Sequence, residues 1–136
     1  MRIIGIDYGD ARIGIAVTDP LGITAQGVGT IKNKGKQKTL LEIKKVIDEY
    51  MPEKIVIGMP KNMDGSLGFR AEATFTFAEL LKTVYQGEIV FWDERLTTVG
   101  ATRYLNETNT VKGARKEVID TLSACLILEG YMQKNG

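Results

Sequence analysis

The rhythm of apolar and polar positions changes several times along this chain, and each change marks an element. Arg2 to Asp7 is an apolar run that closes on an acid. From Arg12 to Thr18, Ile13, Ile15 and Val17 alternate with Gly14, Ala16 and Thr18, the period of two that marks a half-buried strand. Tyr8 to Ala11 reads as the turn between these strands, and Asp19-Pro20-Leu21-Gly22 as a second turn. Ile23 to Lys32 then supplies a third, glycine-rich strand. After it the period lengthens. Leu40, Ile43, Ile47 and Tyr50 share one helical face, and Pro52 ends that helix. Ile55 to Met59 is a continuous apolar run, as expected of a strand covered on both faces. Beyond a polar loop from Pro60 to Gly68, a second helix carries Ala73, Phe77, Leu80, Leu81 and Val84 on one side. Glu88 to Trp92 reads as another buried strand, Thr98 to Glu107 as a third helix, and the apolar stretch Leu122 to Leu128 lies in a last one.

The order β-β-β-α-β-α-β-α-α, a meander followed by alternation, predicts an α/β fold: a mixed five-stranded sheet flanked by helices. At 136 residues the chain fits one domain over residues 1–136, and it shows neither repeat nor linker.

Composition then narrows the chemistry. The chain has no histidine, which removes Ser-His and Cys-His nucleophile pairs, His-ligated zinc and imidazole relays. Its one cysteine, Cys125, lies within the apolar C-terminal run, so no intrachain disulfide forms, and a core thiol is the simplest reading. No apolar stretch is long enough for a membrane helix, and the first residues lack a signal-peptide pattern. These features lead to the expectation of a cytoplasmic protein without a membrane partner. The net charge is only +1, but cations cluster. Lys32, Lys34, Lys36 and Lys38 have no acid among them, and the segment from Arg95 to Lys116 sets five cations against Glu107. Such patches suit phosphate contacts, or equally a solvated loop and a helix start.

Asp7 and Glu94 end apolar runs, and Asp120 opens the apolar C-terminal stretch. A carboxylate at the end of a buried strand is costly unless it is paired or binds a cation. Three that converge would repel one another, and Mg²⁺ or Mn²⁺, which favour oxygen ligands, would relieve the repulsion. Alternation allows only one of Asp93 and Glu94 to face a given site, and Glu94 is the choice. Gly5 should share the face of Asp7 and leave space beside it, and Gly9 suits a positive-φ turn. The small residues Ser123 and Ala124 would let the last helix lie close to the sheet and bring Asp120 against Asp7. Each acid also has a plainer reading: Asp7 as a turn cap, Glu94 in a surface ion pair, Asp120 paired with Lys116 one turn away. Arg95 suits a phosphate oxygen, and Lys61, Asn62 and Arg70, in or beside the loop after the Ile55–Met59 strand, suit a nucleic-acid backbone. Arg12, Arg115 and Lys116 complete the candidate nucleic-acid contacts.

Gly5-Ile6-Asp7-Tyr8-Gly9 with Arg12-Ile13-Gly14, Asn62 to Gly68, Asp93-Glu94-Arg95-Leu96-Thr97-Thr98, and Val118-Ile119-Asp120-Thr121-Leu122 together resemble the YqgF/RuvX family. The likeness is collinear over essentially the whole chain. It implies a ribonuclease-H-like fold, and Holliday-junction resolution or pre-16S ribosomal RNA cleavage as the activity. It also implies catalysis and metal binding by Asp7, Glu94 and Asp120, with two Mg²⁺ or Mn²⁺ ions assisting phosphodiester hydrolysis. Asp64 and Asp93 are weaker alternatives as ligands. Asp10-Ala11 departs from the Thr-Lys common at this turn, which touches a phosphate contact and not the metal site. Expected partners are a ribosomal RNA precursor or branched DNA, in a ribosome-assembly setting, for a monomer or weak homodimer. A junction calls for two sites across a two-fold axis, whereas an RNA end needs one. Two other classes compete: an actin-like phosphoryl-transfer enzyme, for which the chain is too short to supply a second domain, and a non-catalytic RNA-binding assembly factor.

Overall fold

A computed structural model describes residues 2–60, 67–93 and 114–135, with side chains from residue 118 onward in the last segment. The meander is β1 (Ile3–Tyr8), β2 (Arg12–Thr18) and β3 (Ala25–Lys32). Helix α1 (Lys36–Tyr50), β4 (Lys54–Met59), α2 (Phe69–Leu81) and β5 (Glu88–Asp93) follow, and α3 (Ala114–Asn135) closes the chain. The strands form one sheet in the order β3-β2-β1-β4-β5. β1 and β3 run antiparallel to β2, and β4 and β5 run parallel to β1. The mixed five-stranded sheet expected from the sequence is present. The helix expected over 98–107 lies outside the described residues.

Alternation along the strands divides the interior in two. Ile4, Ile6, Ile13, Ile15, Ile55 and Ile57 face α1 and α2, where Ile43, Ile47, Phe77 and Leu81 cover them. Ala16, Val56 and Trp92 face α3 and meet Ala124, Ile127, Leu128 and Tyr131. Burying a side chain the size of Ile127 or Leu128 contributes about 1.5–3 kcal/mol, so this apolar half of α3 anchors the helix to the sheet.

Three sequence expectations change in the fold. The third strand starts at Ala25 because the Asp19 carboxylate accepts hydrogen bonds from the Ile23 and Thr24 amides (2.6 and 2.9 Å), holding those residues in the turn. The Thr24 bond leads the effects that hold this carboxyl below its ordinary range. Helix α2 buries Ala71, Thr74, Phe77, Ala78 and Leu81, not the side marked by Ala73, Leu80 and Val84. Apolar residues surround this helix, so periodicity alone does not select a stripe. The Tyr8 ring stacked on Phe77 at 4.5 Å holds the observed face. Finally, β5 is an edge strand in which only Trp92 is buried, and Phe91 is 39% exposed.

Candidate active site

Asp7 stands near the C-terminal end of β1, the central strand, and is 6% exposed. In the β1–β2 ladder it lies directly opposite Gly14, and residues so paired share a face of the sheet. That face is the one under α3. A Cβ placed on Gly14 would collide with the backbone carbonyl of Asp120. Glycine therefore lets the first turns of α3 touch the sheet at the point where Asp7 emerges. Buried Ser123 and Ala124 continue the close approach. The structure thus sets the backbone of Asp120 against Gly14, the ladder partner of Asp7, although Asp7 and Asp120 are separated by most of the chain.

Asp120 is held by Arg12, two residues before Gly14 on the same face of β2. The Arg12 Nε donates to Asp120 Oδ2 at 2.5 Å, with the two side chains 25% and 15% exposed. The Lys116 side chain that spacing offers as an ion partner lies outside the described residues, and the observed bond to Arg12 crosses 108 residues. Only strand register puts Arg12 within reach.

Two details of the hairpin differ from expectation. Gly5 shares the face of Asp7, but the space beside it is filled: a Cβ there would lie 2.8 Å from Leu128 Cβ. Gly9 is absent from the positive-φ glycines, which are Gly22, Gly29 and Gly35 among the described residues. Its lack of a side chain serves a close contact instead, since a Cβ would lie 2.6 Å from the Arg12 carbonyl oxygen.

Asp93 ends β5 opposite Met59. Its neighbour Trp92 packs on the α3 side, so alternation turns Asp93 to the other face, away from Asp7. Glu94, Arg95, Lys61, Asn62 and Asp64 lie outside the described residues, as do the side chains of Arg115 and Lys116. Arg70 is in the first turn of α2, beyond β4. Strands β4 and β5 end at Met59 and Asp93, on the edge of the sheet where Asp7 stands. Among the described residues no group of three acids, cysteines or histidines is close enough to hold a metal. A groove of about 620 Å³ lined by Ile3, Thr18, Lys54 and Tyr131 lies at the opposite edge, remote from the carboxylates.

The residue missed as a site organiser is Gly14. Its signal was present in the sequence as a glycine facing inward in an otherwise apolar strand, which marks close approach of another backbone.

This sheet order, with a helix crossing the central strand beside an acid, defines a ribonuclease-H-like fold. Solved structures of that fold include Thermus thermophilus RuvC in complex with a Holliday-junction substrate, with a TM-score of 0.59 and 12% identity over 99% of this chain and 96% of that one. The Fowlpox virus resolvase bound to junction DNA matches with a TM-score of 0.55 and 10% identity over 98% of each chain. By its match over residues 1–134 to the family model described as "RuvX: Holliday junction resolvase", the chain belongs to the RuvX family. Relatives include a Clostridium botulinum protein 49% identical over 97% of this chain and 96% of its own length. Another, from Clostridium kluyveri, is 45% identical over 98% of both. Each bears the name "Putative pre-16S rRNA nuclease".

Proposed function

We propose that this protein is a divalent-metal-dependent nuclease that hydrolyses phosphodiester bonds in structured nucleic acid, with the 5′ end of precursor 16S ribosomal RNA as its substrate. The observation that carries this reading is the approach of the Asp120 backbone to Gly14, the ladder partner of Asp7, in a chain of the RuvX family. A buried strand-end carboxylate near a second carboxylate is costly unless charge or hydrogen bonds answer it, and a shared cation is one way to answer both. The donor set fits a hard cation: Asp7 and Asp120 offer oxygen only, and Glu94 is proposed as the third ligand. Two Mg²⁺ or Mn²⁺ ions, when bound, would supply an activated water and charge neutralisation at the leaving oxygen.

The chain's own residues would do the rest. Arg12 orients Asp120, and the β1–β2 ladder fixes Asp7. Lys61, Asn62, Arg70, Arg95, Arg115 and Lys116 are proposed to grip backbone phosphates and so set the register of the substrate. The names of the relatives favour the RNA precursor. The family description and the junction-bound proteins of like fold favour a second reading, cleavage of a four-way DNA junction, which would require paired sites in a dimer. In either reading the protein works in the cytoplasm. No helix among the described residues is long and apolar enough to cross a membrane.

Paired cleavage of a 5′-extended 16S precursor RNA and a four-way DNA junction, with Mg²⁺ or Mn²⁺, tests the proposal. Asp7→Asn should lose at least about 100-fold in rate, more than outer-shell changes at metal sites cost. Its melting temperature should stay close to that of the wild type, because asparagine keeps the size of the side chain. Strong metal-dependent cutting by folded Asp7→Asn refutes the assigned role. Binding of substrate without cutting by the wild type, under either ion, would make the protein an assembly factor.

A further inference from the structure

Charge extends from the candidate site across the sheet. In the β2–β3 ladder Arg12 lies directly opposite Lys32, so Lys32 shares the face of Arg12, Gly14 and Asp7. Two strand spacings and two residues of rise put its Cα about 12 Å from that of Asp7. From there the chain turns over the edge of the sheet through Asn33, Lys34 and Gly35 into the first turn of α1, a helix on the opposite face, which holds Lys36 and Lys38 and no acid. All four lysines are exposed. Lys34 makes a loose ion pair with Glu42 at 3.8 Å, whereas Lys32, Lys36 and Lys38 make none among the described residues. Asp10 and Glu42, the acids on adjoining segments, are too few to balance four lysines.

This loop is held firmly. The Asn33 amide donates to the Ala11 carbonyl at 2.9 Å, and its Nδ2 donates to the Tyr8 hydroxyl and the Gly9 carbonyl, both at 3.2 Å. The Lys34 amide donates to Thr39 Oγ1 at 3.0 Å, and Thr39 is buried. The lysines are thereby clamped to the hairpin whose first strand carries Asp7. Cations in the first turn of a helix oppose its dipole. Set there without acids to answer them, they weaken the fold, and a local conflict of this kind marks a functional surface.

We propose that Lys32, Lys34, Lys36 and Lys38 form a phosphate-backbone track that holds one arm of the nucleic-acid substrate on the β3 side of Asp7. The track rests on the nuclease reading above. At about 3.4 Å of helix axis per nucleotide, the offset of Lys32 corresponds to three or four nucleotides of a duplex arm from the bond cut. The contact is with phosphate, so it is indifferent to base sequence. RNA and DNA arms share that chemistry, and the test carries both.

The full-length protein in EDTA is titrated against a labelled 5′-extended RNA stem and a labelled four-way DNA junction, from about 50 to 200 mM salt. The Lys32→Gln/Lys36→Gln/Lys38→Gln variant should show a slope of log K against log salt smaller by about 2–3. Its melting temperature should be no lower than that of the wild type. Lys44→Gln/Lys45→Gln/Lys82→Gln removes the same charge elsewhere and should leave the slope within about 1 of wild type. If the first variant keeps the wild-type slope on both probes, or the two variants lower it equally, the track is overturned while the nuclease reading stands. If the wild type binds neither probe, both fall.

Discussion

Asp120 is 15% exposed and has Arg12 as its charge partner, while the buried Asp7 emerges nearby, across Gly14. An ion pair so far out of water depends on both members, because the one left behind keeps its desolvation cost. Arg12→Gln should therefore destabilise the metal-free protein by about 1.5–3 kcal/mol, the range for hydrogen bonds to charged groups. If Asp7 and Asp120 share a divalent ion, added Mg²⁺ should return more stability to this variant than to the wild type. Thermal melts with and without Mg²⁺ check this, and an equal gain in both proteins would separate Arg12 from the metal site. Asp7 and Asp120 were each legible in the sequence, one from the end of an apolar run and the other from the start of one. Their meeting was legible in part, through Ser123 and Ala124. Arg12 as the partner of Asp120 was not, because no local spacing connects residues 108 apart.

Elements meet where side chains are small. Helix α3 reaches β1, β2 and β3 across Gly5, Gly14 and Gly27, whose missing side chains would strike Leu128, Asp120 and Thr121. Gly14→Ala should push the start of α3 off the sheet at an overpacking cost of about 1–3 kcal/mol. It should lower cleavage as well, by moving Asp120 from Asp7. A melt and a cleavage assay on the same preparation check both effects, and unchanged values in both would show that α3 tolerates the shift. The meander, α1 and β4 were readable from hydrophobic period or a continuous apolar run, although β1, β2 and β4 are buried on both faces and β3 has no fully buried residue. The face of α2 and the exposure of β5 were not. Helix α2 is apolar around most of its circumference, and a strand's place at the sheet edge is decided by its neighbours rather than by its own residues.

For the molecule as a whole, the central position of β1 matters most. It has a neighbour on each side, antiparallel β2 and parallel β4, so the end carrying Asp7 is fixed from both directions. If that end binds metal, ligand linkage makes the whole fold report it. Mg²⁺ or Mn²⁺ at about 100 times its dissociation constant should stabilise the wild type by about 2.7 kcal/mol, reversed by EDTA. Asp7→Asn should show little of this gain, and a full gain in that variant would place the ion elsewhere. The sequence alone determined the kind of chemistry available, because a chain without histidine and with a single cysteine leaves carboxylates, cations and bound metal as its tools. It determined most of the elements too, since hydrophobic period is a local property. Tertiary structure alone decided which carboxylate neighbours which, that Arg12 holds Asp120, and that Lys32 shares their face. Strand register and the backbone approach at Gly14 are long-range quantities: they exist only once segments a hundred residues apart have packed together.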